Sequence, residues 1–372
     1  MTKTKNLLPA SALALTLTST LAAAEIRVPF TPDQWDASGK VEFIEHKGVS
    51  AMRLAPGVEH VVLKGLNLAN GIVEFDLEPT RPGFVGIYFR FRDPNENECF
   101  YLRTARAGDP TAPDAVQYAP LVKGVNLWDL LGHYQSPATI RSNDWNHIKL
   151  VISGARLRAY VNDPGKPVLD VPRLEGETSS GALAFFGAAI VANLVIRPDE
   201  VEGLRPNPGD DPVANDARYL REWKVIEAFP LNKGRELADA DLPKSEAKWE
   251  TLVAERRGLV NLSRVFGKSE SRRAVWLKTT LKSFQAQTKK VDLGWSDEVW
   301  VFINGKLLYL DKNLYNQPIM KSPEGRCALE NGGFSLPLRA GENELLIGVT
   351  NDFFGWGIVA RLDNSEGVEI NR

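Results

Sequence analysis

The feature that most constrains the fold is the stretch Asp297–Leu310, which reads DEVWVFINGKLLYL. Its two apolar runs flank Asn304-Gly305, and Asn-Gly is a strong hairpin signal because both central positions of a type I′ turn need positive φ. The first run has apolar side chains on both faces, which is typical of a strand inside a two-sheet sandwich. The side chains that point one way are Val299, Val301 and Ile303, and those that point the other way are Trp300 and Phe302.

Two neighbouring segments extend the pattern. Ala274–Leu281 reads AVWLKTTL, and Leu338–Ile347 reads LRAGENELLI with a turn at its centre. Together with the Asn-Gly hairpin, they resemble the galactose-binding-like jelly-roll module that accompanies β-galactosidases and other glycoside hydrolases. The resemblance covers Trp223 to Glu369 and implies a β-sandwich. The matching positions are mostly turn and core residues, so the resemblance implies architecture before function.

Composition excludes several classes of function. The chain has 372 residues, 43% of them hydrophobic and 25% charged, so it is long enough for two ordinary cores. A formal net charge of -2 does not indicate the positively charged surface that nucleic-acid binding needs. The four histidines lack metal-ligand spacing, and nucleophile-elbow, phosphate-loop and dinucleotide motifs are absent from the sequence. We therefore expect no nucleic-acid partner, no metal and no cofactor, except for one calcium alternative given below.

The first 24 residues have the order of a secretory signal peptide. Lys3 and Lys5 precede a short apolar stretch, and three alanines end at Ala24. A membrane anchor is the alternative, although the stretch is short and interrupted by Ser and Thr. No later segment is apolar enough to span a bilayer. We expect cleavage after Ala24, a periplasmic or secreted protein and no membrane span after signal removal.

The rest of the chain is expected to form two all-β domains. Short strand patterns separated by Gly, Pro and Asn fill residues 25–197, without a sustained helical period. Residues 198–215 are rich in Pro, Asp and Gly, which predicts a linker that is semi-rigid where proline recurs. Residues 216–372 form the second domain. The fold class predicted is two jelly-roll β-sandwiches, with Cys99 and Cys327 in different domains and their pairing left open.

The first domain resembles a second family. The segments Gly86–Arg90 (GIYFR), Trp145–Lys149 (WNHIK) and Gly181–Phe185 (GALAF) are similar to concanavalin A-like lectins and glucanases. Within that superfamily the nearest similarity is to LamG-like and 3-keto-disaccharide-hydrolase-domain proteins. The resemblance spans Trp35 to Pro198 and implies a sandwich that handles carbohydrate. The segment after Arg103 departs from the hydrolase-domain pattern, so hydrolase activity does not follow from it.

One strand carries a candidate catalytic pattern. Val73–Glu78 reads VEFDLE, which places Glu74, Asp76 and Glu78 on one face while the apolar residues enter the core. E-x-D-x-E is also the catalytic pattern of laminarinase-like glucanases, whose outer carboxylates serve as nucleophile and acid/base about 5 Å apart. The alternative is an ordinary solvated strand face.

The next two strand patterns suggest a sugar-binding face. If they form a meander with the first, one surface gathers three carboxylates, two tyrosines and three arginines; cross-strand Glu/Arg pairing is the alternative explanation. Tyrosine supplies a flat surface for sugar C–H groups, and arginine supplies planar donors for hydroxyls. The predicted face contains Tyr88, Arg90, Arg92, Tyr101 and Arg103, and its predicted rim on the irregular segment 105–142 contains Gln117, Tyr118, Trp128 and Tyr134.

We therefore predict non-catalytic glycan binding on this concave face, with carbohydrate as the partner. A glycoside hydrolase that uses Glu74 and Glu78 is the alternative, and an adhesion or scaffold protein without a sugar ligand is a third. The loop Asp93–Glu98 could hold Ca²⁺, although its irregular spacing favours a plain acidic turn. In the second domain, Phe353, Phe354 and Trp356 are interpreted as core or interface residues, with ligand binding as the lesser alternative.

Overall fold

The computed structural model describes residues 24–370, which are almost entirely β-strands and turns. The strands of the N-terminal half are β1 (Ile26–Arg27), β2 (Trp35–Ala37), β3 (Val41–His46), β4 (Val49–Leu54), β5 (Val61–Leu63), β6 (Gly71–Pro79), β7 (Phe84–Asp93), β8 (Glu96–Arg103), β9 (Val116–Tyr118), β10 (Leu121–Val122), β11 (Val125–Asn126), β12 (Gln135–Ser136), β13 (Asn146–Ser153), β14 (Arg156–Val161), β15 (Leu169–Val171), β16 (Ala182–Phe186) and β17 (Ala189–Pro198).

The C-terminal half continues in the same manner. Its strands are β18 (Glu222–Val225), β19 (Phe229–Pro230), β20 (Glu250–Val253), β21 (Leu259–Asn261), β22 (Arg273–Ser283), β23 (Gln287–Ser296), β24 (Glu298–Ile303), β25 (Lys306–Lys312), β26 (Gly332–Leu338), β27 (Gly341–Asn351), β28 (Gly357–Leu362) and β29 (Val368–Ile370). A short helix, α1, spans Leu262–Phe266, and 3₁₀ turns occupy Thr104–Arg106, Gly132–Tyr134, Asp239–Asp241, Arg256–Gly258 and Leu329–Asn331.

The N-terminal sandwich consists of two antiparallel sheets. Sheet I has the order β15-β14-β13-β6-β17-β4-β3, with β1 added on β17. Sheet II has the order β11-β10-β8-β7-β16-β5-β2, with β9 on β8 and β12 on β9. Alternate residues of each strand enter the shared core, among them Phe75 from sheet I and Phe89 and Phe100 from sheet II. The predicted all-β fold class is confirmed.

The C-terminal sandwich is organised around the Asn-Gly hairpin. Sheet III has the order β20-β18-β22-β27-β24-β25, with β19 and β29 on β22, and sheet IV has the order β21-β28-β23-β26. Asn304 and Gly305 have φ of 50° and 77°, as the predicted turn requires. Val299 and Val301 enter the core between the sheets, whereas Trp300 packs in a second cluster with Trp276. Both faces of β24 are therefore buried, as its sequence predicts.

The predicted linker packs against the N-terminal sandwich. Residues 199–215 contain no strand, but Leu204 is buried with Ile72 and Tyr160 on sheet I. Ala155 donates its backbone N–H to the Pro206 carbonyl at 2.8 Å. A Cβ at Gly154, which has φ of 53°, would lie 2.3 Å from that carbonyl oxygen. Glycine at the β13–β14 turn thus permits both the turn and the close approach of the linker.

One topological expectation is wrong. Strand β6 does not form a meander with β7 and β8, because it lies between β13 and β17 in sheet I, whereas β7 pairs with β8 and β16 in sheet II. Glu74, Asp76 and Glu78 therefore lie on the outer face of one sheet, and Tyr101 and Arg103 lie on the outer face of the other. Local alternation of side chains shows which face of a strand is polar, but it does not show the sheet to which the strand belongs.

Three further expectations concern covalent bonding and targeting. Cys99 and Cys327 are both free thiols. Residues 1–23 of the predicted signal peptide lie outside the described residues. Within residues 24–370, no helix has the length and apolar character needed to cross a membrane.

Candidate functional site

A cleft of about 400 Å³ lies where the C-terminal sandwich packs against the outer face of sheet II. We call it the inter-sandwich cleft. Its volume is in the range of small-ligand pockets. The aromatic residues that line it are Phe84, Tyr101, Trp128 and Phe186 from the N-terminal sandwich and Tyr315, Phe353 and Phe354 from the C-terminal sandwich. The charged residues that line it are Arg103, Arg106, Asp114, Glu324 and Arg326.

The aromatic rings form two walls and a floor. Phe84 and Tyr101 make an edge-to-face pair on one side, with ring centroids 5.7 Å apart. On the other side Tyr315 stacks on Phe353, with centroids 5.6 Å apart and an interplanar angle of 7°. Trp128 and Tyr315 make an edge-to-face pair with ring centroids 4.9 Å apart, and this pair connects the two sandwiches. Tyr315, Phe353 and Phe84 remain 39%, 41% and 56% exposed, so flat apolar surface is available to a ligand.

The opposite end of the cleft is charged. Buried Asp114 accepts a contact of 2.9 Å from the Nε of Arg106 and lies 3.6 Å from the Nε of Arg103. Glu324 lies 3.2 Å from Nη1 of Arg326 and 3.5 Å from Nη2 of Arg106. The Arg326 guanidinium also lies over the Trp128 ring, 5.2 Å from its centroid, where a cation is favoured. The charged and aromatic parts are thus in direct contact.

Gln117 positions three of the residues in the cleft. Its Oε1 accepts hydrogen bonds from the Tyr101 hydroxyl at 2.9 Å and from Nη2 of Arg103 at 2.5 Å. Its Nε2 donates to the backbone carbonyl of Trp128 at 2.7 Å. The side chain is fully buried, so it acts as a support beneath the surface. Such buried amide support fixes the orientation of binding residues before a ligand arrives.

Two buried carboxyl groups hold the loop that carries Phe353 and Phe354. Asp297 of the C-terminal sandwich accepts the backbone N–H groups of Asp352 at 2.6 Å and Phe353 at 2.9 Å. Asp129 of the N-terminal sandwich accepts the N–H of Gly355 at 3.1 Å. Burial raises the pKa of Asp129 to about 7 and raises that of Asp297 well above its usual range. One wall of the cleft therefore depends on a carboxyl group from each sandwich.

The structure brings together part of the predicted binding set. Tyr101, Arg103 and Trp128 line the cleft, and Gln117 lies beneath them. Tyr88 is on the same outer face but outside the cleft lining, where it stacks on Phe186 with centroids 4.5 Å apart.

Four predicted binding residues lie elsewhere. A register shift between Phe89 and Asp93 interrupts the alternation of β7, and Arg90 at this bulge has φ of 47°. Arg90 instead reaches across the sandwich and donates to the carbonyls of Ala69 and Gly154. Arg92 is exposed, lies 3.3 Å from Asp93 and is not among the residues that line the cleft.

Tyr118 and Tyr134 also turn into the core, since buried carboxyl groups there need partners. The Tyr118 hydroxyl donates to Oε2 of Glu98 at 2.6 Å and accepts the N–H of Glu175 at 2.6 Å. Tyr134 donates to Oε1 of Glu175 at 3.0 Å. Burial raises the pKa of Glu98 to about 7, although the hydrogen bond from Tyr118 opposes the rise. These residues form an internal network and not the rim of a binding face.

The acidic residues of β6 are each satisfied by a neighbour on sheet I. Glu74 accepts from Nη1 of Arg197 at 2.8 Å. Asp76 lies 2.9 Å from Nδ1 of His147 and accepts from Asn193 at 2.7 Å. The contacts of Glu78 are to His46 at 3.0 Å and Lys47 at 2.8 Å.

The pKa shifts on β6 are opposite to those of a glycosidase acid. Burial acts to raise the pKa of both Asp76 and Glu78. For Asp76, hydrogen bonds from His147 and Asn193 outweigh burial and lower the pKa. For Glu78, hydrogen bonds from Lys47 and His46 do the same. A general acid of a glycoside hydrolase needs a raised pKa. The arrangement gives the catalytic interpretation of these residues no support.

The acidic loop expected as a calcium alternative is a tight β7–β8 turn whose acids diverge. Asp93 accepts the N–H of Asn95, Glu96 accepts the N–H of Lys123, and Glu98 is buried in the core network. In the part of the chain that the structure describes, no group of three or more His, Cys, Asp or Glu side chains is placed to hold a metal ion.

The sequence gives Phe353 and Phe354 as core or interface residues, with ligand binding as the lesser alternative. In the structure they are 41% and 47% exposed, so they are not core residues, and Phe354 meets Trp128 at the interface between the sandwiches. The aromatic residues Tyr315, Phe353 and Phe354 follow strands in loops, and exposed aromatics at such positions are a usable signal of ligand contact. Trp356, three residues beyond Phe353, is fully buried in the core as interpreted. The charged residues Arg106, Asp114, Glu324 and Arg326 have no distinguishing local pattern, since they come from two regions that are far apart in the chain, residues 106–114 and residues 324–326.

A second depression between the sandwiches, of about 560 Å³, differs in character. Its positively charged lining residues are Arg173, Arg221, Arg256 and Arg264. Its negatively charged lining residues are Glu175, Glu177, Asp211 and Glu255. Arg264 alone contacts Glu177, Glu255 and the carbonyl of Glu175. Four positive groups match four negative ones, and none of the lining residues is aromatic. This depression has the composition of a polar domain interface.

The chain matches no family model and no curated relative. Solved structures similar to part of it include the carbohydrate-binding module CBM66 from Bacillus subtilis, at 14% identity over 44% of this chain and 92% of that chain, with a TM-score of 0.33. Another is the exoplasmic/lumenal domain of VIP36 in its Ca²⁺/Man3GlcNAc-bound form, at 13% identity over 46% and 86%, with a TM-score of 0.34. Domain 4 of an extracellular arabinanase from Geobacillus stearothermophilus, solved with arabinotriose, has 12% identity over 43% and 76%, with a TM-score of 0.30. Likenesses of this size carry no argument about function.

Proposed function

We propose that the protein binds a glycan, without cleaving it, in the inter-sandwich cleft. The observation that carries the proposal is the convergence of exposed aromatic rings from both sandwiches on one cleft that ends in arginines and carboxylates. Sugar rings present C–H faces that pack on aromatic surfaces, and their hydroxyl groups pair with planar charged side chains. A site built this way recognises the ring and its substituents together.

The cleft coincides only in part with the binding face that the sequence suggests. The aromatic residues of sheet II contribute one wall, and the C-terminal sandwich contributes the other. Residues supplied by two sandwiches are typical of ligand sites at domain interfaces. Export to the periplasm or the medium remains part of the proposal, supported by the signal-peptide pattern of residues 1–24.

The test is a glycan array followed by isothermal titration calorimetry of the best ligands. We expect Tyr315→Ala to weaken binding roughly tenfold or more, because it removes one wall and its stack on Phe353. The matched control is Phe284→Ala, since Phe284 is an aromatic residue of the same sandwich that is 64% exposed and outside the cleft. Equal loss in both variants, or no binding of any glycan by the wild type, would refute the proposal.

Hydrolysis is tested with the same ligands. We expect no release of reducing sugar from any glycan that binds, in the wild type or in Glu78→Gln. Release that disappears in Glu78→Gln would instead assign the chain to the glycoside hydrolases and place the reaction on the outer face of sheet I.

A further inference from the structure

The charged end of the inter-sandwich cleft has an excess of positive charge. Three guanidinium groups share two carboxylates: Asp114 contacts Arg106 at 2.9 Å and lies 3.9 Å from Nη2 of Arg326, and Glu324 contacts Arg326 at 3.2 Å. Arg103 is the third cation of the group. The lining therefore carries one positive charge that no lining carboxylate balances.

Burial makes this excess significant. Arg326 is only 3% exposed, and its Nε has no hydrogen-bond partner among residues 24–370. Arg103 is 8% exposed; burial lowers its pKa, and the nearby charge of Arg326 acts in the same direction. Cations that have lost water need a counter-charge or further hydrogen bonds, because desolvation is costly for a charged group.

The second depression between the sandwiches provides an internal comparison. It lies at the same interface and has the same type of residues, yet its four arginines face four acids. The unbalanced charge is thus a property of the aromatic-lined cleft and not of the whole interface.

The three arginines differ in their availability. Arg103 is already bonded to Gln117, the Tyr101 hydroxyl and the Asp114 carbonyl. Arg106 contacts Asp114 and Glu324 but its side chain is still 40% exposed, whereas the side chain of Arg326 lines the cleft and is only 3% exposed. Guanidinium groups bind planar anions through paired N–H donors, so the exposed Arg106 is the group able to receive one, and Arg326 adds its positive charge to the same lining.

We propose that the inter-sandwich cleft selects a glycan with an anionic substituent, a carboxylate or a sulfate ester, which Arg106 receives beside the charge of Arg326 while the ring packs on the aromatic walls. This inference rests on the proposed glycan binding and adds the class of glycan. The two anions share the chemistry that the arginines recognise, and the choice of ligand in the titration separates them.

The test is calorimetry of the full purified protein with two matched ligand pairs. The first pair is oligogalacturonate and its methyl ester of equal length, and the second is a sulfated galactan oligosaccharide and its desulfated form. We expect the charged member of one pair to bind at least tenfold more tightly than its neutral partner, with the difference shrinking as salt is added. The pair that shows the difference identifies the anion.

Variants assign the effect to the arginines. Arg106→Gln is expected to lower the ratio of charged to neutral affinity about tenfold, and Arg106→Lys by less, since it keeps the charge but loses the planar fork. Glu324→Gln is expected to raise the ratio, because it removes a competing carboxylate whose side chain is 53% exposed. Both positions are open enough for these changes to leave the fold intact.

The outcomes separate this inference from the proposed function. Neutral members that bind as tightly as charged ones, or a ratio that neither Arg106→Gln nor Glu324→Gln changes, would overturn the charge selection and leave glycan binding in place. Failure of all four oligosaccharides and of the glycan array would overturn both.

Discussion

The outer faces of sheets I and II both carry rows of charged side chains, but the two faces leave different groups unsatisfied. On sheet I, Glu74, Asp76 and Glu78 each have a hydrogen-bonding partner on a neighbouring strand or turn. On sheet II, the charged residues lie beside exposed aromatic rings, and the second sandwich covers only part of them. On a polar strand face whose side chains pair with one another, no charged group is left for a ligand to bind. An aromatic cleft with an unbalanced positive charge has both a surface and a charge that a ligand can bind.

The pKa shifts separate the two regions in the same way. Asp76 and Glu78 on sheet I have lowered pKa values, as expected of carboxylates that are paired and ionised. Asp129, beneath the cleft, has a pKa raised to about 7. Paired carboxylates stabilise the fold at neutral pH, whereas buried carboxyl groups that prefer the proton do the opposite. The two regions should therefore respond to pH with opposite sign.

The largest expected effect is on ligand binding. Trp128→Ala should weaken glycan binding about 100-fold, because Trp128 forms the floor of the cleft and contacts Tyr315, Phe354 and Arg326. The triple variant Glu74→Gln, Asp76→Asn, Glu78→Gln on sheet I should change affinity less than about twofold. Calorimetry with the best array ligand measures both.

This comparison would be reversed by one result. If the triple variant abolished binding while Trp128→Ala still bound normally, the ligand would have to lie on sheet I. Circular dichroism of both proteins confirms that any loss of binding does not come from loss of fold.

A smaller effect is expected on stability beneath the cleft. The unfolded Asp129 carboxyl releases its proton near its usual pKa of 3.8, whereas the folded one keeps it up to about pH 7. Between these values the unfolded state binds fewer protons, so the free energy of unfolding falls as pH rises, by at most about 1.4 kcal/mol per pH unit. Asp129→Asn removes this contribution, and its amide can still accept the Gly355 N–H.

Urea unfolding at pH 5, 6 and 7 measures the difference in slope between wild type and Asp129→Asn. The pKa of Glu98 is also raised, and its contribution cancels in the difference between the two proteins. Burial is the main cause of the raised pKa of Asp297 and the charge of Asp129 adds to it, so the difference reports on Asp129 together with its effect on Asp297. Parallel slopes would show that the Asp129 carboxyl is ionised in the folded protein throughout this range.

The sequence predicts the local features of the fold, which depend on residues close together in the chain. The turn at Asn304-Gly305, the burial of both faces of β24 and the outward direction of Tyr101 and Arg103 all follow from side-chain alternation and turn chemistry. The prediction that Arg90 points outward is wrong because a bulge shifts the register of β7. No residue type in the segment GIYFRFR indicates that bulge.

Features that depend on distant segments could not be predicted in this way. Strand β6 pairs with β13 and β17, both far along the chain, so its sheet cannot be read from its own sequence. Packing of the second sandwich on sheet II brings Arg326 to Arg103 and Tyr315 to Trp128. From the sequence, Tyr118 and Tyr134 are reasonable candidates for the rim of the binding face. Their inward direction becomes clear only from the hydrogen bonds to the buried Glu98 and Glu175.

The smallest expected effect concerns the Asp76–His147 pair on sheet I. The hydrogen bond to Asp76 is the largest cause of the raised pKa of His147, and the pKa of Asp76 is lowered in turn because its hydrogen bonds outweigh burial. The contribution of Asp76 is present above its unfolded pKa of 3.8 and is lost as pH falls through its folded value. The contribution of His147 is present below its unfolded pKa of 6.5 and is lost as pH rises through its folded value.

The pair is therefore strongest between about pH 4 and pH 6.5. Because the His147 side chain is 44% exposed, solvent screening keeps the cost of Asp76→Asn below about 1 kcal/mol at pH 5.5. Urea unfolding at pH 5.5 and pH 8.5 should show a larger loss at the lower pH, with no change in glycan affinity at either. An equal loss at both values would mean that Asp76 is stabilised by Asn193 and not by the charge of His147, whereas a change in affinity would mean that the two faces of the N-terminal sandwich are coupled through its core.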